Sequence, residues 1–144
     1  MERTTKPKET IHASCVTLGP TAVLLIGASG SGKSALALEL ITRGAVLIAD
    51  DQTILTDTSH GLRASCPAPL LGLIEARGVG LLTAEHQFSA IVRLVVDLEA
   101  EETDRLPAER NITLLGHTIP LLHTPCYAHF PAAVLQYLRG GRSA

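Results

Sequence analysis

The sequence predicts an α/β domain, and three observations carry that prediction. A glycine-rich loop, Gly27-Ala28-Ser29-Gly30-Ser31-Gly32-Lys33-Ser34, stands between an apolar run and a stretch of strong helix formers. A second apolar run follows and ends on two consecutive carboxylates, Asp50 and Asp51. Apolar residues make up 46% of the 144 residues and aromatics only 3%, so the core must be built from Leu, Ile, Val and Ala. That composition suits buried strands covered by helices, in one domain of ordinary size.

Met1 to Thr10 is polar and has no apolar h-region, which predicts a frayed tail and no secretory leader, with a single domain over residues 11–144. His12 to Leu18 alternates loosely and stops at Gly19-Pro20. Thr21 to Ile26 is then a short apolar run bounded by glycine, so the two read as a hairpin that delivers the chain to the loop. Lys33 to Arg43 reads as a helix, with Leu36, Leu40 and Ile41 on one face and Gly44 at its C-terminal cap. Ala45 to Ala49 is the next strand, which completes a βαβ-like unit.

The middle of the chain is more β-like. Thr53 to Thr56 and Leu62 to Cys66 flank the hairpin loop 57–61, and Pro67 and Pro69 break the pattern. Ile91 to Leu98 is the clearest later strand, and the polar stretch from Glu99 to Arg110 reads as a mobile surface loop. Ile112 to Leu115 and Thr118 to Leu122 suggest another hairpin. Pro131 is placed to begin a closing helix that runs to about Leu138.

Composition also excludes. The formal net charge is −2 with no basic block, so nucleic-acid binding has no electrostatic footprint. The longest apolar run, Ala22 to Ile26, is far too short for a helix across a bilayer, and no membrane partner is expected. Cys15, Cys66 and Cys126 are widely spaced and form no C-x-x-C pair, which predicts reduced thiols in a cytoplasmic protein. The six histidines lack zinc-ligand spacing.

Gly27 to Ser34 satisfies G-x-x-x-x-G-K-[ST] without a mismatch. Glycines let successive amides turn toward phosphate oxygens, and a helix beginning at Lys33 adds its N-terminal partial charge. Lys33 reaches the β- and γ-phosphates, and the Ser34 hydroxyl is a hard ligand for Mg²⁺. The expected ligands are therefore ATP and Mg²⁺.

A phosphate loop specifies a nucleotide, not a reaction. Asp50 and Asp51 end a strand that can point at the γ-phosphate, where one carboxylate holds Mg²⁺ and another takes a proton. Neighbours on an extended segment face opposite ways, so the two cannot share a job. Residues alone leave open a plain turn or helix cap. Glu75-Ala76-Arg77-Gly78-Val79-Gly80 is likewise open between a charged-ligand loop and a surface ion pair beside a bend.

Taken in order, Ile11-His12-Ala13, Gly27 to Ser34, Leu47-Ile48-Ala49-Asp50-Asp51 and Leu73-Ile74-Glu75-Ala76-Arg77-Gly78-Val79-Gly80-Leu81-Leu82 resemble the catalytic domain of bacterial HPr kinase/phosphorylase. The resemblance extends over residues 11 to 138. It implies a P-loop domain with a mixed sheet, related to phosphoenolpyruvate carboxykinase, often hexameric, that phosphorylates a serine of the phosphocarrier HPr. Carried onto this chain, it implies charge neutralisation by Lys33, Mg²⁺ coordination by Ser34 and Glu75, and Asp51 as the base. Asp50 would support the metal or Asp51, His12 would stand near the site, and Arg77 and Gly78 belong to the signature that contacts phosphate. Arg105, in Asp104-Arg105-Leu106, resembles a family arginine on a flexible loop.

The departures have consequences. Only a short tail precedes His12, which corresponds to a catalytic-domain-only form. Ala28 and Ala35 replace common acids. Thr124 to His129 corresponds to a family loop rich in arginine and linked to the reverse, phosphate-dependent reaction, yet holds no arginine. A kinase is expected, and phosphorylase activity does not follow with it. The alternatives are a P-loop kinase of a small molecule and a regulatory module that senses ATP.

Overall fold

The computed structural model describes residues 7–144. Its strands are β1 (Lys8–Ile11), β2 (Ala13–Leu18), β3 (Thr21–Ile26), β4 (Val46–Ala49), β5 (Thr53–Thr58), β6 (Gly61–Ser65), β7 (Leu73–Ala76), β8 (Gly80–Thr83), β9 (Ser89–Glu101), β10 (Asn111–Leu114) and β11 (His117–Thr124). Two helices, α1 (Lys33–Thr42) and α2 (Phe130–Gly140), complete it with one 3₁₀ turn at Ala68–Leu70. This is the mixed α/β architecture with a closing helix that the sequence predicts.

Nine strands form one mixed sheet in the order β1-β5-β6-β9-β3-β2-β4, with β11 pairing β9 and β10 pairing β11. β9 is long enough to serve several partners. It runs parallel to β3 from Ile91 to Asp97, antiparallel to β6 at its start, and parallel to β11 toward its end. β2 lies between β3 and β4 and is antiparallel to both, so β3-α1-β4 is a parallel crossover with a third strand inserted.

The period-2 alternation of β3 separates two cores. Leu24 joins Cys15, Ile48, Leu55, Leu62 and Val95 on one face. Val23 and Leu25 join Leu36, Leu40, Leu47, Val134 and Leu135 under the two helices on the other. Burial on both faces explains why β3 reads as a continuous apolar run. At the end of α1, Gly44 adopts φ 110 and donates to Ile41 O, while Ala45 N–H donates to Leu40 O. That bond pair is a Schellman cap, and the positive φ explains the glycine.

Three sequence expectations need correction. Lys8 to Thr10 are not frayed: they pair with Thr56, Leu55 and Ile54 of β5, while residues 1–6 of the expected tail lie outside the described residues. The polar stretch from Glu99 does not begin as a loop, because β9 continues to Glu101 on pairing with Thr124. β7 and β8 form a separate two-stranded sheet where only a bend was expected.

This topology places the site. The C-terminal ends of β3, β4 and β9 and the N-terminal end of antiparallel β2 meet at one edge of the sheet, where Ala13 pairs with Ile26, Cys15 with Ala49 and Ile26 with Asp97. His12, the glycine loop and Asp50-Asp51 therefore leave the sheet side by side, with Glu99 of β9 next to the loop.

Candidate active site

A cleft of about 580 Å³ opens at this edge, lined on one side by Ser29, Gly30, Gly32, Lys33 and Ser34 and on the other by Asp51, Glu75 and Arg77. Its floor is the start of α1. Gly32 caps the helix at φ 103, and among the described residues no side chain bonds to the cap. The first turn carries no acid, so its amides and their partial positive charge are left open to an anion.

Lys33 is buried, and each of its three ammonium hydrogens has an acceptor: Gly27 O at 2.6 Å, Ala28 O at 3.0 Å and His12 Nε2 at 3.3 Å. An ammonium only donates, so Nε2 must accept and the His12 proton must sit on Nδ1. That nitrogen faces Asp51 Oδ1 at 3.1 Å. His12 thus bridges the loop lysine and the second carboxylate, and Ser29 Oγ lies 3.2 Å from the same Nε2.

Asp50 and Asp51 separate as expected, but by more than strand alternation. Asp50 is buried and both its oxygens are engaged. Oδ1 accepts from the hydroxyls of Ser14 and Ser34, each at 2.7 Å, and Oδ2 accepts the Glu75 amide at 3.0 Å. It therefore stands behind Ser34, fixing that hydroxyl's proton and leaving its lone pairs for a cation. Asp51 is exposed at φ 68, and Gln52 N–H donates across it to Asp50 O at 2.8 Å. A γ-turn with positive φ is a rare and strained conformation, and strain of this kind gathers at functional sites.

Glu75 and Arg77 come from the tip of the β7–β8 hairpin. Val79 N–H donates to Ala76 O at 2.9 Å, closing a turn whose third residue, Gly78, has φ 84. A turn of that kind requires glycine there. Gly78 is not among the residues lining the cleft, and its positive φ gives it a conformational place in the hairpin tip. Arg77 does line it, with Nη2 4.0 Å from where a Cβ on Gly30 would stand.

Of the other sequence candidates, Gly27, Ala28 and Ser31 form the back of the loop. Gly27 has φ 147, and a Cβ there would meet Ser31 Oγ at 2.5 Å. Ser31 Oγ is buried with no partner among the described residues. Arg105 is not brought to the cleft. It lies on the segment after β9, whose base is closed by an ion pair between Arg110 and buried Glu102. Glu102 Oε2 also accepts the amides of Thr103 and Asp104.

Two residues of the arrangement were missed. Ser14 left one signal, a hydroxyl inside a largely apolar strand, which when buried must find a partner. Glu99, whose Oε1 accepts the Ala28 amide at 3.0 Å, left none, since 71 residues separate the two.

The residues fit a nucleotide phosphate group and a divalent cation: open helix amides, a buried ammonium, an unpartnered buried hydroxyl, and a serine oxygen with the Asp50 carboxylate beside it and Asp51 and Glu75 lining the same cleft. Among the described residues, no helix is long and apolar enough to cross a membrane.

The family model for the HPr serine kinase C-terminal domain matches residues 3–134. HPr kinase/phosphorylase of Xylella fastidiosa strain M12 is 36% identical over 116 residues, covering 75% of this chain and 37% of the relative. That of Xanthomonas campestris pv. campestris strain B100 is similar to the same extent. The chain thus spans little more than a third of the length of these curated relatives. The HPr(Ser) kinase/phosphatase structure from Coxiella burnetii superposes with a TM-score of 0.76 at 25% identity, covering 91% of this chain and 88% of that one. With a family match over most of its length and relatives 36% identical over 75% of it, this chain belongs to the HPr serine kinase C-terminal domain family.

Proposed function

We propose that this chain is an ATP- and Mg²⁺-dependent kinase that phosphorylates a serine of an HPr-type phosphocarrier of the phosphotransferase system. The observation that carries the reading is the His12 bridge, which links a candidate base, Asp51, to the loop lysine through the two nitrogens of one ring. A pure nucleotide sensor needs no base at that place.

When bound, Mg²⁺-ATP supplies the transferable phosphoryl group and the cation that shares its charge. Ser34 and Glu75 would hold the cation, with Asp50 orienting Ser34 from behind. Lys33 would exchange its longest contact, to His12, for a phosphate oxygen, and Arg77 would face the phosphates across the cleft. An unactivated serine hydroxyl is a poor nucleophile. Asp51 takes the serine proton as the serine oxygen forms its bond to phosphorus and the bond from that phosphorus to ADP breaks. Positioning and charge neutralisation do the rest, as in other phosphoryl transfers. His12 keeps the Asp51 carboxylate aimed, through its Nδ1–H.

The relatives are named kinase/phosphorylase, but the segment from Thr124 to His129 holds no arginine, and Tyr127 stacks on His129 there. We therefore assign the forward direction alone. The resemblance adds a hexamer, and the free thiols of Cys15, Cys66 and Cys126 suit a cytoplasmic protein. The test mixes purified protein, Mg²⁺-ATP and an HPr-like protein of the same cell and follows the carrier's mass. A gain of one phosphate on serine is expected, and no gain would sink the kinase reading. A second incubation, phosphorylated carrier with free phosphate, is expected to release nothing.

A further inference from the structure

We propose that Glu99 is a positioning residue for the phosphate loop, latching the Gly27–Ala28 peptide in the orientation that supplies Lys33 with its acceptors. The inference rests on the nucleotide reading of the cleft given above. In a trans peptide the C=O and N–H point in opposite directions. Here the Ala28 N–H donates to Glu99 Oε1 at 3.0 Å, while the Gly27 C=O accepts from Lys33 Nζ at 2.6 Å. Two side chains of opposite charge grip one peptide unit from its two ends. The anion holds the donor and the cation holds the acceptor.

The peptide needs such a grip. The Gly27–Ala28 unit turns about ψ of Gly27 and φ of Ala28, and glycine, with no Cβ, leaves the first of these torsions permissive, so local sterics resist rotation weakly. Turned over, it would aim its N–H at the ammonium and its C=O at the carboxylate, and both contacts would become repulsive. The Ala28 amide would also swing to the side from which Lys33 approaches. The latch therefore decides which way the first peptide of the loop faces.

Glu99 is itself anchored. Its own N–H donates to Asp97 Oδ1 at 2.9 Å, and Asp97 pairs with Ile26 of β3 and His123 of β11. Its Cγ lies 3.5 Å from where a Cβ on Gly27 would stand, so the side chain packs against the glycine. On the far side, Ala28 O accepts from Lys33 Nζ and from the Ser31 amide, both at 3.0 Å. Glutamine keeps an acceptor for the Ala28 amide, and Lys33 still rejects the turned-over peptide, so glutamine should largely replace it.

The test uses the whole ¹⁵N-labelled chain as wild type, Glu99→Ala and Glu99→Gln. Calorimetry gives the Kd for Mg²⁺-ATP, and NMR gives the Ala28 amide proton shift. Hydrogen bonds to charged groups predict a Kd raised about tenfold in Glu99→Ala and by less than about threefold in Glu99→Gln. The Ala28 proton should move upfield in the alanine variant and largely return in the glutamine variant. An unchanged Kd in Glu99→Ala, or a glutamine variant as weak as the alanine one, overturns the latch. If Glu99→Ala does not fold, a glutamine variant whose Kd rises tenfold or more overturns it. Should wild type itself fail to bind Mg²⁺-ATP, the nucleotide reading falls. The Ala28 shift then still decides the latch, which an unmoved resonance in Glu99→Ala overturns.

Discussion

Two irregular segments leave the same edge of the sheet and are held in opposite ways. The glycine loop, after β3, is gripped along its length: Lys33 from within, Glu99 from behind, His12 from the side and α1 at its end. The segment 103–109, after β9, is held at its base by Glu102 with Arg110, and at Pro107 O by Arg142 at 2.6 Å. Its residues Thr103 to Leu106, Arg105 among them, are exposed. A site for a small, highly charged ligand gains from amides set before the ligand arrives. A segment that meets a macromolecular partner needs only a fixed base and an adaptable tip. Under the function proposed above, the contrast suits nucleotide chemistry at the first and partner contact at the second.

The contrast breaks most visibly at the reacting groups. Asp51→Asn keeps the shape of the turn but removes the base, so phosphoryl transfer should fall about 10²- to 10⁴-fold while Mg²⁺-ATP still binds. Transfer assays beside calorimetry separate the two, and an unchanged rate would remove Asp51 from the chemistry. Asp50→Ala acts through the fold instead. It strands the Ser14 and Ser34 hydroxyls and the Glu75 amide, at about 1–3 kcal/mol for each one left unsatisfied, so thermal unfolding should move sharply down.

Arg110→Ala should have a smaller and local effect. The amides of Thr103 and Asp104 should exchange faster with solvent, with Mg²⁺-ATP affinity unchanged. A nucleotide affinity that fell with it would erase the distinction between the two segments. Burial pushes the Glu102 carboxyl up, but its hydrogen bonds to Arg110 and to the Asp104 and Thr103 amides outweigh that and hold it below the usual carboxylate range. A depressed folded-state value contributes stability above the ordinary carboxylate pKa and loses it as pH falls through the lowered one. Acid should therefore loosen this base, as hydrogen exchange against pH would show.

The smallest expected effect concerns the thiols. Burial pushes the Cys15 thiol far up, and burial followed by the Asp50 charge pushes Cys66 up. Both thus stay protonated and slow to react, while Cys126 is exposed. One rapid equivalent of alkylation at neutral pH, mapped to Cys126, is expected. Fast labelling of Cys66 would mean that the region around Asp50 opens.

Much of this was legible in the residues. The β2–β3 hairpin, α1 with its glycine cap and β4 follow from local periodicity and punctuation, signals that neighbours within a few residues decide. The β7–β8 hairpin was missed because Leu81 and Leu82 remain largely exposed, so no alternation marks a buried face. The start of β1 was missed because its polar residues pair along an edge, where backbone hydrogen bonds suffice without apolar side chains.

The sequence by itself determined the phosphate loop, the helix behind it and the pair of aspartates, because each is a run of adjacent residues whose chemistry is local. Only the tertiary structure decided that Asp50 is spent on Ser14, Ser34 and Glu75 while Asp51 stands exposed in a strained turn. The same holds for His12 joining Asp51 to Lys33 and for Glu99 reaching Ala28. These contacts join residues up to 71 positions apart, and their partners are chosen by which strand ends share a sheet edge. That order of strands is a property of the packed fold, and no local pattern encodes it.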